Sequence, residues 1–272
     1  MQSKTPLSDP DRTGLDLRAQ NLSFAYKAKH DVLCGVSLTL SGKNFYALVG
    51  PNGAGKTTLL HLLTCYLSPS SGHVSLNGIS VTAMSRKHVA ANVALVPQTL
   101  SSMFAFRVIE IVLMARHPFT GLRVFDTDDD IAIAASALQT CGLEGYENRR
   151  MSELSGGEQR LVLIARAVAQ QTPILLLDEP LAALDLRHQW QIMNLLSKLR
   201  GEGKTILGTF HDLNTAARWC DHLFLLHNGR IAAEGTPAET LTPKLLEELY
   251  AIPLSVGCDN FGHPRIDFPQ TN

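Results

Sequence analysis

The segment that most constrains the fold is a glycine-rich loop between a strand-like run and a helix-like run. The loop reads Gly50, Pro51, Asn52, Gly53, Ala54, Gly55, Lys56, Thr57 and Thr58. The apolar run 45–49 predicts a buried strand before it, and residues 59–63 predict a helix after it. In such a loop the backbone N–H groups surround phosphates, Lys56 lies against the β- and γ-phosphates, and the Thr57 hydroxyl holds Mg²⁺. The sequence therefore predicts a nucleotide site.

Length and composition exclude several other classes. A chain of 272 residues buries a large core without disulfide staples. Its net charge of −1 does not favour nucleic acid as a partner. The five scattered cysteines predict no disulfide framework and no zinc site, which fits a reducing cytoplasm. We expect no export signal and no membrane span, because no apolar run of about 18 residues occurs.

The order of patterned segments predicts an α/β domain that also contains antiparallel strands near its start and a helical segment in its middle. We expect residues 1–14 to be disordered and alternating residues in 15–40 to form antiparallel strands. A helical segment spans about 99–152, where an acidic cluster at 126–128 caps a helix. From 158 to 210 helices and strands alternate, which implies a mostly parallel sheet. After the domain, 15–240, we expect an extension, 241–272. From Pro237 onward the pattern predicts a short helical pair followed by a loose tail.

Two adjacent carboxylates end the second strongly apolar run. The run Ile174–Leu177 precedes Asp178 and Glu179, as expected of a buried strand that ends at a ligand crevice. A carboxylate beside the phosphate loop holds Mg²⁺ directly or through water, so Asp178 is the candidate ligand. Since side chains alternate along an extended segment, Glu179 points elsewhere and is a candidate to activate a water.

A second glycine-bearing turn, Leu154–Gln159, opens a helix with Ser155 at its cap, followed by Gly156 and Gly157. On spacing alone, this turn is a capped helix start with no ligand. About twenty residues before an apolar-Asp-Glu strand, however, the hexapeptide resembles the signature of ATP-binding cassette (ABC) proteins. Other segments match that family in order and spacing: 50–58, Gln98, 174–180, 184–185 and His211 before Asp212. The resemblance covers residues 17–240.

The resemblance implies a P-loop NTPase core with an N-terminal antiparallel β subdomain and a helical subdomain. It also assigns roles to individual positions. Tyr26 stacks on adenine, Gln98 senses Mg²⁺ and water, Glu179 is the general base and His211 contacts the γ-phosphate. Ser155, Gly156 and Gly157 contact nucleotide held by another copy, and Asp185 lies between the copies. The family pattern thus implies ATP and Mg²⁺ as cofactors and a head-to-tail dimer.

The form of the chain resembles the separate ATPase subunit of an importer. The segments 106–119, 184–189 and 211–214 are similar to those of cassettes from iron-chelate, haem and cobalamin uptake systems, with Ala115 and Ala183 as departures. The resemblance implies a permease partner, an indirect role for a substrate-binding protein, no nucleic acid, and a place at the cytoplasmic face of the inner membrane. Candidate permease contacts are Met103, Phe104, Phe106 and Phe119.

Three alternatives stay open. An importer cassette for a metal ion such as zinc or manganese keeps the same chemistry. A soluble ABC ATPase acting on a protein or nucleic acid complex changes only the partner, and no basic run favours it. A small-molecule kinase would need an acceptor pocket and would leave 154–159 unexplained.

Overall fold

The computed structural model describes residues 14–26, 31–98, 105–120 and 126–268. Its elements follow in chain order: β1 Leu17–Ala25, β2 Asp31–Leu40, β3 Phe45–Val49, α1 Lys56–Leu63, β4 Ser71–Leu76, β5 Ile79–Ser80, α2 Arg86–Asn92, β6 Val93–Val96, α3 Val108–Leu113, α4 His117–Thr120, α5 Asp128–Thr140, α6 Gly156–Ala169, β7 Ile174–Leu177, α7 Leu186–Gly201, β8 Thr205–Phe210, α8 Leu213–Trp219, β9 His222–His227, β10 Arg230–Gly235, α9 Pro237–Thr240, α10 Pro243–Tyr250, β11 Ser255–Cys258 and β12 Pro264–Asp267.

The main sheet has six strands in the order β10-β9-β3-β8-β7-β6. All neighbours from β9 to β6 pair in parallel, and only β10 runs antiparallel to β9. Strands β3, β7 and β8 are buried along their whole length, which explains their continuous apolar sequences. The carboxyl ends of β3 and β7, where the glycine-rich loop and Asp178 begin, therefore lie at the same edge. The mostly parallel sheet is confirmed.

A four-stranded antiparallel sheet, β2-β1-β4-β5, lies beside this core. Its buried residues alternate along β1 and β2, with Leu17 opposite Leu40. These side chains share one hydrophobic cluster with Leu48 of β3 and with Leu59 and Leu60 of α1. The cluster fixes the start of α1, and so the glycine-rich loop, between the two sheets.

Helices α3 and α5 of the predicted helical segment, about 99–152, pack against each other and against α6, which follows that segment. Thr127 caps α5 and forms a reciprocal pair with Asp130. Arg116, itself buried, donates from Nε to Asp130 Oδ1 at 3.0 Å. Burial acts to raise the pKa of Asp130, but hydrogen bonds from Thr127 and Arg116 outweigh it and hold that pKa below its ordinary value. This ion pair joins α5 to the end of α6, since Arg116 Nη1 also donates to Ala169 O at 3.0 Å.

The C-terminal segment differs from the loose tail expected from the sequence. The helical pair is present as α9 and α10, but the chain then forms an antiparallel hairpin, β11-β12. The carboxamide of Asn214 on α8 holds it by two hydrogen bonds: Nδ2 donates to Ile266 O at 3.1 Å, and Oδ1 accepts from Ile266 N at 2.7 Å. Ile266 is buried. The hairpin is therefore part of the packed domain.

Among the helices of the described residues, none combines the length and the apolar character that a bilayer span requires. The expected disorder of the N-terminus and the contacts of Met103 and Phe104 lie outside the described residues, apart from Gly14.

Candidate functional site

The glycine-rich loop follows β3 and leads into α1. Glycine is required at two of its positions because neighbouring segments approach the backbone closely. A Cβ on Gly50 would lie 2.1 Å from the carbonyl oxygen of Leu226, and one on Gly55, where φ is +103°, would lie 2.7 Å from Leu33. Pro51 O accepts a hydrogen bond from Ala54 N at 3.2 Å, which closes the loop as a turn.

Lys56 lies inside this loop. Its Nζ donates to Gly50 O at 2.7 Å and to Pro51 O at 3.1 Å, and only 6% of the residue is exposed. Burial lowers the pKa of the ammonium, and the nearby carboxylates of Glu179 and Asp178 partly oppose that change. The amine is thus held under the loop, next to both acidic residues at the end of β7.

Two threonines follow Lys56 in the first turn of α1. Thr57 is exposed, whereas Thr58 is buried. The Thr58 hydroxyl lies 3.1 Å from the hydroxyl of Tyr26, at the end of β1. Tyr26 is 61% exposed and its ring makes an edge contact with Phe24. An exposed aromatic ring next to a phosphate loop is able to stack on a base.

Asp178 and Glu179 follow β7 directly and are joined by one buried hydroxyl. Thr209 Oγ1 donates to Asp178 Oδ1 at 3.0 Å and accepts from the backbone N–H of Glu179 at 2.7 Å. Glu179 has a left-handed φ of +44°, which is unusual for a residue with a side chain. The backbone at Glu179 is therefore not extended, so the alternation of side chains expected from the sequence does not apply at this position.

Each oxygen of the Glu179 carboxylate contacts a different side chain. Gln98 Nε2 donates to its Oε2 at 2.5 Å, and His211 Nε2 lies 2.6 Å from its Oε1. Glu179 and His211 also line a cavity of about 170 Å³. A fixed carboxylate beside space for water has the geometry of a general base.

Two residues of this group were missed at the sequence level. Thr209 lies inside an apolar strand, and Arg160 lies in the second turn of α6. The buried guanidinium of Arg160 donates to Pro97 O at 2.8 Å and to Glu179 O at 3.2 Å, so it ties the segments before Gln98 and around Glu179 together. Burial lowers its pKa, opposed by Asp178 and Glu179. The sequence did offer one signal for Arg160, because it stands next to the apolar residues of a predicted helix. An arginine buried there needs polar partners, and these indicate a structural role.

The turn at Ser155–Gly157 forms a separate group. Ser155 caps α6 and shares a reciprocal pair of hydrogen bonds with Glu158, whose Oε1 accepts from the Tyr146 hydroxyl at 2.8 Å. The backbone N–H of Ser155 is the main reason that the pKa of Glu158 is lowered, and the Tyr146 hydrogen bond adds to it. Gly157 lies against His188 of α7, the helix that Asp185 caps.

The structure thus brings the predicted residues together in two groups. The first unites Lys56, Asp178, Glu179, Gln98 and His211 at one edge of the main sheet. The second places Ser155, Gly156 and Gly157 beside Asp185, through His188. Within the described ranges no cluster of three or more His, Cys, Asp or Glu side chains forms a metal site. Thr57, Asp178 and Gln98 carry a hydroxyl, a carboxylate and a carboxamide, and such oxygen atoms are of the chemical kind that Mg²⁺ accepts beside phosphate.

Known proteins with similar sequences include importer ATPases. A hemin import ATP-binding protein of Thermobifida fusca is 40% identical over 253 residues, which is 93% of this chain and 87% of the relative. A cobalamin import ATP-binding protein of Halobacterium salinarum is 37% identical over 92% of this chain and 60% of the relative.

Solved structures agree in fold. An inward-facing metal-chelate type ABC transporter has a chain with 29% identity and a TM-score of 0.81, covering 93% of this chain and 97% of that one. The dimeric structure of the bacterial ABC transporter cassette MJ0796 has 28% identity and a TM-score of 0.72, covering 81% and 98%.

The family model described as ABC transporter matches residues 33–182. This match spans more than half of the chain and includes the glycine-rich loop, Gln98, the turn at Ser155 and the carboxylates after β7. It agrees with the relatives and with the fold, and it confirms the resemblance, the fold class and the enzyme class expected from the sequence. The chain belongs to the ABC transporter family, in which it is an ATP-hydrolysing cassette.

Proposed function

We propose that this chain energises an importer of haem, cobalamin or an iron-siderophore. The proposal rests on one observation: Gln98 and His211 both contact the Glu179 carboxylate, next to Lys56 of the glycine-rich loop. That geometry supports ATP hydrolysis. The import ATP-binding relatives for hemin and cobalamin, and the metal-chelate transporter, support the substrate class.

ATP binding rests on the loop and its neighbours. The phosphates lie in the loop formed by Gly50, Pro51, Asn52, Gly53, Ala54, Gly55, Lys56, Thr57 and Thr58. Lys56 exchanges its carbonyl partners for the β- and γ-phosphates, and the positive end of α1 adds to the attraction. Tyr26 stacks on the adenine.

Mg²⁺ is held by oxygen atoms of this chain and of the nucleotide. Thr57 supplies a hydroxyl, Asp178 a carboxylate and Gln98 a carboxamide. The ion neutralises charge on the phosphates when it is bound. Thr209 keeps one oxygen of Asp178 in place by its hydrogen bond, leaving the other for the ion or its water.

Hydrolysis uses the side chains around Glu179. The Glu179 carboxylate takes a proton from the attacking water. Gln98 orients the carboxylate and the water. His211 turns from Glu179 toward the γ-phosphate and holds it for in-line attack. Arg160 and Thr209 position Glu179 without contacting the nucleotide.

The site is completed by a second copy in a head-to-tail dimer. Ser155, Gly156 and Gly157 contact the γ-phosphate of nucleotide held by the other copy, and Asp185 lies between the copies. The dimeric structure of a related cassette supports this arrangement. Closure on ATP and reopening after hydrolysis give the two states that a transporter needs.

The remaining partners lie at the membrane. The helical segment receives a cytoplasmic part of the permease, and Phe106, which is partly exposed, and Phe119, which packs under Arg116, are the described candidates for contact. A substrate-binding protein delivers the cargo to the permease. The chain is peripheral at the cytoplasmic face of the inner membrane and binds no nucleic acid.

The test is uptake by cells that lack this gene, complemented with the native chain, Glu179→Gln or the matched control Glu202→Gln, whose carboxylate lies exposed on the surface. Uptake of haemin, cobalamin and a ferric siderophore is measured separately. We expect the native chain and Glu202→Gln to restore one of the three and Glu179→Gln to restore none. Unchanged uptake of all three compounds in the deletion strain would contradict the proposal.

A further inference from the structure

A histidine outside the assigned site connects its two interface segments. His188, in the first turn of α7, lies between Asp185 and Gly157. We infer that His188 is a positioning residue that ties the surface at Asp185 to the turn at Ser155–Gly157, so that both meet the partner copy as one unit. The inference deepens the proposed function and rests on it.

One end of the connection is a hydrogen bond. The backbone N–H of His188 donates to Asp185 Oδ1 at 2.8 Å, and the ring Nδ1 lies 2.9 Å from the same oxygen. A carboxylate only accepts, so Nδ1 carries a proton in this contact. The Asp185 side chain is mostly exposed, whereas the imidazole is about one-fifth exposed. The carboxylate on the surface is therefore fixed by a ring that lies deeper.

The other end is a close van der Waals contact. A Cβ placed on Gly157 would lie 2.2 Å from Cγ and Cδ2 of His188 and 2.7 Å from Nδ1. No real Cβ approaches a ring so closely, so the imidazole covers the Cα of Gly157. Gly157 has no positive φ, and its backbone conformation does not require glycine. The position of the His188 ring in the same chain therefore explains why residue 157 is glycine.

The two contacts fix the spacing between the starts of α6 and α7. Ser155 caps the first helix and Asp185 the second, and both caps are held by short hydrogen bonds. A displacement of Asp185 at the partner's surface therefore moves the imidazole, and the ring presses directly on the turn that faces the partner's nucleotide. Misplacement of a positioning group by about 1 Å is enough to reduce turnover strongly.

The contact is tested by the melting temperature without nucleotide, in the native chain, Gly157→Ala, His188→Ala and the double variant. Alanine is the better helix former, so Gly157→Ala should raise the melting temperature when the ring is absent. With His188 present the same change should lower it, because the ring must move. A rise of equal size in both backgrounds would show that the ring does not cover Gly157.

The positioning role is tested by ATPase kinetics of His188→Ala and His188→Asn, with Asn194→Ala on the exposed face of α7 as the matched control. We expect His188→Ala to lower kcat about tenfold with unchanged ATP affinity, since the phosphate loop is untouched. The amide nitrogen of the introduced asparagine side chain takes the place of the ring Nδ1, so His188→Asn should recover most of the rate. Native kcat in His188→Ala, or no recovery in His188→Asn, would overturn the inference.

The two failures are distinguishable. If the native rate per chain does not depend on concentration, the proposed dimer is wrong, while the melting temperatures still report the contact. If that rate does depend on concentration and His188→Ala behaves as the native chain, the dimer stands and the role of His188 is wrong.

Discussion

At the residue scale, the proposed role of Glu179 as general base depends on how this residue is held. Its two carboxylate oxygens contact Gln98 and His211, its N–H donates to the Thr209 hydroxyl, and its carbonyl accepts from Arg160. The left-handed φ of Glu179 is strained, so these four contacts determine a conformation that the backbone alone would not prefer. The position of the proposed base therefore depends on side chains from other elements.

We predict that Thr209→Val lowers kcat while Thr209→Ser does not. Valine has nearly the same shape but leaves the N–H of Glu179 without its partner, a loss of about 1–3 kcal/mol when the group stays buried. Serine keeps the hydroxyl. The measurement is steady-state ATPase activity, with ATP binding measured separately; equal kcat in both variants would contradict the role given to this hydroxyl.

The carboxylate of Glu158 makes the cap of α6 sensitive to acid. The pKa of Glu158 is lower in the folded chain, mainly because of the Ser155 N–H. A lowered folded pKa stabilises the fold above the unfolded value of about 4.3, and that stabilisation is lost as the pH falls through the folded pKa. We therefore expect the melting temperature of the native chain to exceed that of Glu158→Gln at pH 7, and the difference to shrink as the pH falls below the unfolded value of about 4.3. A difference that stays constant below that value would mean that charge is not its source.

At the element scale, the C-terminal hairpin is fixed by one carboxamide. Asn214 pairs with both backbone groups of Ile266, and α8, which carries Asn214, begins two residues after His211. The last strands are therefore attached to the helix that follows His211, the proposed γ-phosphate contact.

We predict that Asn214→Ala releases this hairpin. Hydrogen exchange of the backbone amides in 255–267 should become faster, because the hairpin loses two hydrogen bonds to α8, while exchange in β3 and β8 stays slow. Thr215→Val on the same helix, which removes only a local contact with Asp212, is the matched control. Unchanged exchange at the hairpin in Asn214→Ala would show that other contacts hold it.

Local patterns predicted the elements that carry their own signals. The alternating helices and strands predicted over 158–210 are observed as α6, β7, α7 and β8, and the helix predicted to begin at the acidic cluster 126–128 is α5. Both predictions succeed because periodicity and caps such as Thr127 are local. The hairpin was not predicted, since its anchor at Asn214 lies 52 residues away from Ile266. Arg160, Thr209 and His188 were missed for the same reason: their partners lie in other elements.

At the scale of the whole molecule, the predicted site residues form two groups on different parts of the fold. The first lies at the edge of the main sheet, and the second lies at the starts of α6 and α7. The family match shows what kind of enzyme this is, while the residue roles stay predictions. In the proposed head-to-tail dimer, the second group of one copy meets the first group of the other and completes the site.

The most direct test of a site shared between two copies is the ATPase rate per chain, measured over a range of chain concentrations, with Glu179→Gln in parallel. We predict that the rate per chain rises with concentration until dimers form with ATP, and that Glu179→Gln binds ATP without turnover at any concentration. A constant rate per chain down to concentrations at which sedimentation shows only monomers would contradict the shared site, because Ser155 and Gly157 would then serve no partner.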